Sequence, residues 1–260
     1  MTNDDKVEPH GGRIEAHSAA WQSKQIGRAR AALEIFVALA IFVAASTIAL
    51  QWALSTPAMR EHAAMIAALS IYAGAIAGTV LFAIQGVSWR EIAFRPPRNW
   101  LMTIASAVAA AIAILVLIYQ FGIPFLEDLG LRPIDFSLYE RALQGNLQAY
   151  ILWMLFVVWG SAAIGEELFA RGFIMNRFEA LFRGAPGAIL IAAFAQAVLF
   201  GSLHSFQGPI GIILSGTSGF LFGLIFYAAG RRLWVPILAH GFVDSYAITM
   251  FYLGKSPIPG

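Results

Sequence analysis

The sequence predicts an all-α protein: a polytopic membrane bundle of about seven transmembrane helices. Three observations lead there. Of 260 residues, 59% are hydrophobic and only 12% are charged, about half the ~25% that covers a soluble domain. Long stretches carry no charged residue at all. Glycines recur inside those stretches, as in membrane helices that approach one another closely. Mean hydropathy is +0.70. There is no cysteine, which excludes disulfides and thiolate metal sites. The isoelectric point near 9.0 does not signal nucleic acid, because Lys and Arg are spread over short loops with no basic cluster and no interleaved aromatics.

Residues 1–30 are polar and mixed in charge, contain Gly11-Gly12 and show no apolar period. They read as a disordered cytoplasmic tail, and His10 and His17 as its solvated side chains. Residues 31–254 form a single transmembrane domain. The first apolar run, 31–54, holds Glu34 as its only charge and is longer than the 7–15-residue core of a secretory signal, so it reads as a retained span. Residues 63–89, 99–126 and 142–165 contain no charged residue and supply spans two to four. Residues 184–230 hold His204 as their only ionisable group; 47 residues fit two helices of about 20 with a turn at 205–209. Residues 233–254 form the seventh span and carry His240 and Asp244. Gly219 and Gly223 have the small-residue spacing of a packed helix pair.

The basic residues set an orientation. Lys24, Arg28 and Arg30, then Arg90, Arg95 and Arg98, then Arg177 and Arg183, then Arg231 and Arg232 fall on one side. Arg60, Arg132, Arg141 and Lys255 fall on the other. This asymmetry predicts a cytoplasmic N-terminus and an external C-terminus.

Chemistry concentrates in the second half. Glu166, Glu167 and Arg171 stand at the end of a charge-free run. An ionisable group inside a membrane costs about 3 kcal/mol on insertion scales, so groups kept there tend to be used. Glu167 and Arg171 are four apart and share a helix face. Glu166 points about 100° away, free to face a cavity. A helix-end ion pair at the membrane surface is the plainer reading of this trio taken alone. His204 follows Phe200 by four residues, and His240 precedes Asp244 by four, so each pair shares a face. Carboxylates and imidazoles on three helices are the groups that activate a water, by metal coordination or as general base. Depth strains the convergence. At 1.5 Å per residue, Glu166, His240 and His204 lie roughly 16, 10 and 25 Å from the cytoplasmic ends of their helices. Tilt, and a fourth helix that runs on to about residue 182, would narrow the gap.

Glu166-Glu167-x-x-x-Arg171, Phe200-x-x-x-His204 and His240-x-x-x-Asp244 together resemble the three motifs of the CPBP (Abi) family. That family includes type II CAAX prenyl endopeptidases and bacteriocin-processing or immunity proteins. Gly172 after the arginine and Leu233-Trp234-Val235-Pro236 before the third motif fit as well. The resemblance covers roughly residues 145–250. It implies a membrane-embedded endopeptidase, of CAAX or peptide-processing type, with its catalytic cavity between helices 4, 5 and 7. It implies Glu166 as the base that activates water, His204 as the group that holds that water or a metal ion, and His240 with Asp244 as groups that position the substrate carbonyl. Glu167 and Arg171 would support the first helix, and Phe200 would pack beside His204. Many members carry Asn at the position of Asp244; an ionised Asp cannot donate to an oxyanion, so either His240 donates alone, or Asp244 is protonated, or Asp244 is a metal ligand. A Zn2+ site of Glu166, His204, His240 and Asp244 is chemically feasible. The expected partners are a peptide or protein substrate and the bilayer; the expected location is an integral one, in the plasma or inner membrane if the source is bacterial. The alternative is a non-catalytic immunity or scaffold protein that binds a peptide in the same cavity. A proton-relay transporter is a weaker reading, since no internal repeat is present.

Overall fold

The computed structural model describes residues 26–257, so the predicted tail lies almost wholly outside the described residues. Seven long helices follow in order: α1 Arg28–Ser55, α2 Pro57–Ile84, α3 Trp100–Asp128, α4 Leu147–Leu181, α5 Ala188–Leu203, α6 Gly208–Ala228 and α7 Trp234–Tyr252. Short helical turns, Trp89–Ile92 and Ser137–Leu143, sit in two connections, and there is no strand among the described residues. Five of the expected crossings are long and apolar enough to span a membrane: α1 to α4, and α6 with its preceding turn. At 16 residues α5 reaches only about 24 Å, short of the ~30 Å hydrocarbon core. His240 and Asp244 make α7 the more polar of the remaining two. Large apolar side chains point outward along the bundle, among them Phe36, Ile48, Leu101 and Phe121, as lipid-facing helices require.

Local chemistry sets the helix ends. The Asn99 and Asn146 side chains accept the backbone N–H groups of Met102 and Ala149, which caps α3 and α4. Pro57 and Pro209 occupy first-turn positions, where a missing N–H costs nothing. The fourth helix runs on to Leu181, the extension that the depth argument required. Its middle, Trp153–Ile174, pairs five residues apart rather than four. Such wide turns are rare beyond single bulges and often mark functional sites. They also shorten the rise per residue.

Glycines let helices touch. A Cβ at Gly78 of α2 would lie 2.8 Å from the Phe173 ring of α4. A Cβ at Gly201 of α5 would lie 2.5 Å from the Ile212 carbonyl oxygen of α6, so these two helices meet backbone to backbone.

Contacts at the helix ends confirm the up-and-down order. Arg183, after α4, donates to the Ile26 carbonyl before α1. The Leu233 N–H, before α7, donates to the Ala93 carbonyl between α2 and α3. At the opposite end the Gly145 N–H, before α4, donates to the Tyr252 carbonyl that ends α7. Near the first end, Glu34 of α1 is buried and fully engaged. Arg30 and Arg177 approach it at 2.8 Å each, and the Gln85 amide reaches both its oxygens at 3.0 and 3.2 Å.

Candidate active site

The widened middle of α4 places Glu167 and Arg171 in the centre of the bundle, both with 0% exposure. Arg171 Nη1 donates to Glu167 Oε1 at 2.7 Å, and Nη2 donates to the Gly219 carbonyl of α6 at 3.1 Å. The guanidinium lies over the Phe200 ring at 4.8 Å and the Phe222 ring at 5.3 Å, an aromatic cradle for a desolvated cation. The expected Glu167–Arg171 pair therefore forms, and it is deep in the bundle rather than at the membrane surface.

A second partner reaches the same glutamate. His240 Nδ1 lies 2.8 Å from Glu167 Oε1, and the imidazole stacks on Phe222 at 4.8 Å with a 22° interplanar angle. A carboxylate only accepts, so His240 carries a proton on Nδ1 and turns Nε2 the other way. That nitrogen lies 3.6 Å from Asp244 Oδ2, beyond a direct hydrogen bond. Asp244 shares the His240 face of α7, but Glu167 holds the ring, because α4 packs directly on α7. A Cβ at Gly241 would meet the Trp159 ring of α4 at 2.6 Å.

His204 stands at the C-terminal end of α5. Its Nδ1 lies 2.8 Å from the Phe200 carbonyl oxygen, again an acceptor, so the proton sits on Nδ1 and Nε2 presents a lone pair. The Phe200 and Phe206 rings flank it at 4.6 and 5.9 Å. Phe200 thus packs beside His204, as the resemblance implied. Glu166, His204 and Asp244 are each partly exposed, whereas Glu167 is sealed. Glu166 interacts electrostatically with His204, His240, Asp244 and Arg171, and Asp244 with His240, His204 and Glu167. The predicted side chains from α4, α5 and α7 therefore lie within electrostatic reach of one another.

The donor set does not close around a cation. Among the described residues, no three His, Asp or Glu side chains converge as metal ligands. Glu167 Oε1 and the Nδ1 atoms of both histidines are already committed. Glu166, His204 and Asp244 are the partly exposed members of the set.

Sequence reasoning missed the contribution of α6. Gly219 appeared only as a packing residue, yet its carbonyl holds Arg171, and Phe222 three residues later backs both Arg171 and His240. Neither carries a polar signal that a sequence reading would register. Two tyrosines were also passed over. Tyr119 and Tyr139 both feel the charge of Asp244. Burial first, and then that charge, push the Tyr139 phenol above its ordinary value.

A buried carboxylate–imidazole pair stands beside a second, more open carboxylate in a bundle of membrane-length helices. Comparison with known proteins gives this arrangement a family context. Residues 148–246 match the family model for Rce1-like proteins, described as type II CAAX prenyl endopeptidase Rce1-like. The matched segment runs from α4 through α7 and contains Glu166, Glu167, Arg171, Phe200, His204, His240 and Asp244, so this part of the chain is similar to a CAAX-type membrane endopeptidase family. No curated protein and no solved structure matches.

Proposed function

We propose that this protein hydrolyses a peptide bond in or near the membrane, with Glu166 as general base. The observation that carries this reading is the division of labour between adjacent carboxylates. Glu167 is sealed and takes both Arg171 and His240; Glu166 is partly exposed and keeps its oxygens for a ligand. A water held between Glu166 and the His204 Nε2 lone pair gives its proton to Glu166, and its oxygen attacks the substrate carbonyl. The tetrahedral intermediate then collapses, the C–N bond breaks, and the proton held by Glu166 passes to the leaving amine. His240 and Asp244 line the far side of the substrate carbonyl. General-base catalysis contributes typically 10²- to 10⁴-fold.

A peptide of CAAX type is the substrate class that the matched family suggests. The positive-inside asymmetry supports a cytoplasmic N-terminus. No step here runs through a metal.

The test is hydrolysis of a prenylated CAAX heptapeptide by the purified protein in lipid nanodiscs. Glu166→Gln is expected to lower turnover by about 10³-fold and His204→Ala by about 10²-fold, with unchanged melting temperatures. Wild-type turnover in Glu166→Gln would overturn the reading and favour a peptide-binding role for the same site.

A further inference from the structure

Two arginines stand side by side between α6 and α7, and they are used differently. Arg231 reaches Glu179 at 2.9 Å and lies over the Tyr227 ring at 5.2 Å. Arg232 makes no hydrogen bond or ion pair among the described residues. It lines a cavity of about 170 Å³ between α7 and α3, far larger than a single water needs. This cavity is separate from the site described above. It lies where the connections before α3 and α7 meet, joined by the Leu233 N–H and the Ala93 carbonyl. No carboxylate lines it, and Arg95 and Arg98 belong to the same end of the bundle. The ligand that complements such a cavity is an anion.

The walls are graded along α3. Arg232 and Pro97 belong to the connections, at the polar end. Ser106 lies six residues into α3 from Trp100, about 9 Å deeper. Its hydroxyl is exposed and makes no hydrogen bond among the described residues, whereas the Thr103 hydroxyl is spent on the Asn99 carbonyl. Met102 and Val235 supply apolar surface at the sides. Beyond Ser106 the same helix face continues with Ala109 and Ala113, both exposed. Trp234 forms another wall. Its ring meets Phe94 at 5.3 Å and Trp100 at 5.2 Å, both edge-on, and its indole N–H is buried without an acceptor. Tryptophans of this kind collect at the level of lipid head groups. A cation, a hydroxyl about 9 Å deeper and then a smooth apolar strip follow the order of a phospholipid: phosphate, glycerol ester, acyl chain. A free phosphate would use only the first of these.

We infer that this cavity binds one anionic phospholipid, with Arg232 on the phosphate, Ser106 at the glycerol ester and an acyl chain along Ala109 and Ala113. In a zwitterionic lipid the head group's own cation competes with Arg232 for the phosphate, so a net negative head group is preferred. The orientation read from the basic residues turns this end toward the cytoplasmic leaflet, where anionic lipids concentrate. The bound lipid ties α3 to α7, the helix that carries His240 and Asp244.

Lipid binding to the full-length protein in detergent, read by native mass spectrometry, tests the assignment. Phosphatidylglycerol and phosphatidylcholine with identical chains are the probes. The wild type is expected to bind one phosphatidylglycerol about fivefold more tightly than phosphatidylcholine, the contribution of one arginine near a membrane surface. Arg232→Gln should abolish that preference and Arg232→Lys should keep it. Ser106→Phe, which fills the cavity, should weaken both lipids. Arg98→Gln removes the same charge at the same end but outside the cavity, and should stay within twofold of wild type. Melting temperature gives a second readout: phosphatidylglycerol should raise it in the wild type and in Arg98→Gln, but not in Arg232→Gln. An undiminished preference in Arg232→Gln overturns the assignment. An equal loss in Arg98→Gln overturns it in favour of diffuse surface charge, and displacement of the lipid by excess inorganic phosphate overturns it in favour of a free anion. If Arg232→Gln fails to fold, Ser106→Phe decides, because tight phosphatidylglycerol binding retained there also overturns the site. None of these measurements involves turnover, so their outcome is independent of the endopeptidase reading.

Discussion

Three buried glutamates in this bundle are held by arginine, Glu179 by Arg231 near one helix end, and the other two, Glu34 and Glu167, differ in what is left over. Glu34 joins α1 to α2 and α4 near one end. Arg30, Arg177 and Gln85 account for both its oxygens, and the Arg177 guanidinium lies over Phe82 at 4.4 Å and Phe173 at 4.9 Å. Glu167 joins α4 to α6 and α7 in the centre. One of its oxygens takes both Arg171 and His240, and the other, Oε2, has no partner. A saturated carboxylate clasps helices. A carboxylate that aims an imidazole toward partly exposed neighbours, with capacity to spare, belongs to a site. The presence of a buried ion pair distinguishes nothing by itself; what it leaves unsatisfied does.

The largest expected effect lies on the saturated side. Glu34→Ala strands the Arg177 charge, whose side chain is 2% exposed, and breaking such a pair costs about 3–5 kcal/mol. A steep loss of thermal stability is expected, while the specific activity of the folded fraction stays within twofold. If Glu34→Ala instead lowered kcat at full stability, the contrast between the two glutamates would be lost.

Glu167→Gln comes next. The amide keeps the shape but gives up the charge that holds Arg171 and fixes the proton on His240 Nδ1. Partners that orient a functional histidine are typically worth 10- to 100-fold in activity. A fall of that size in kcat is expected together with a drop in melting temperature, the double signature that Glu34→Ala lacks. A drop in melting temperature alone would make Glu167 a second clasp.

Gly201→Ala is smaller and probes the α5–α6 contact that carries His204. Its new Cβ would meet the Ile212 carbonyl oxygen at 2.5 Å, and overpacking of this kind costs about 1–3 kcal/mol. Because the intruded atom is backbone, the strain must move α5, and His204 moves with it. The expected result is a modest loss of stability with a severalfold loss of turnover. Unchanged values for both would show that the two backbones have room to separate.

The contrast between the glutamates also marks how far the sequence could be read. Helix order, the turn after His204 and the Glu167–Arg171 pair were legible because charge-free length and four-residue spacing are local properties. Glu34 was visible only as a lone charge, since its partners Gln85 and Arg177 are brought to it by packing across three helices. The His240–Glu167 bond was hidden behind the nearer Asp244 for the same reason: sequence spacing reports neighbours on one helix and is silent about the next. Depth counted at 1.5 Å per residue failed in α4, where Trp153–Ile174 winds more widely. No residue preference announces that widening.

The smallest expected effect is that of a chelator. Residue types alone made zinc feasible, because two histidines and two carboxylates exceed the three protein ligands of a catalytic site. Geometry argues the other way. A zinc ligand must turn a lone pair toward the ion at about 2.0–2.2 Å. His240 Nε2 and Asp244 Oδ2, 3.6 Å apart, have the spacing of two ligands on one ion, but no group of three His, Asp or Glu side chains is placed to hold one among the described residues. Glu167 is withdrawn by Arg171, which would leave Glu166 and Asp244 to move toward two rings fixed through their Nδ1 atoms. Purified protein is therefore expected to carry far less than one zinc per chain by elemental analysis, and chelation should leave heptapeptide hydrolysis unchanged. One zinc per chain, with activity lost on chelation and restored by the metal, would mean that α5 and α7 close on the ion. The open site would then be the apo form of a metal centre, and the difference between the two glutamates would lie in which of them a metal draws its neighbours toward.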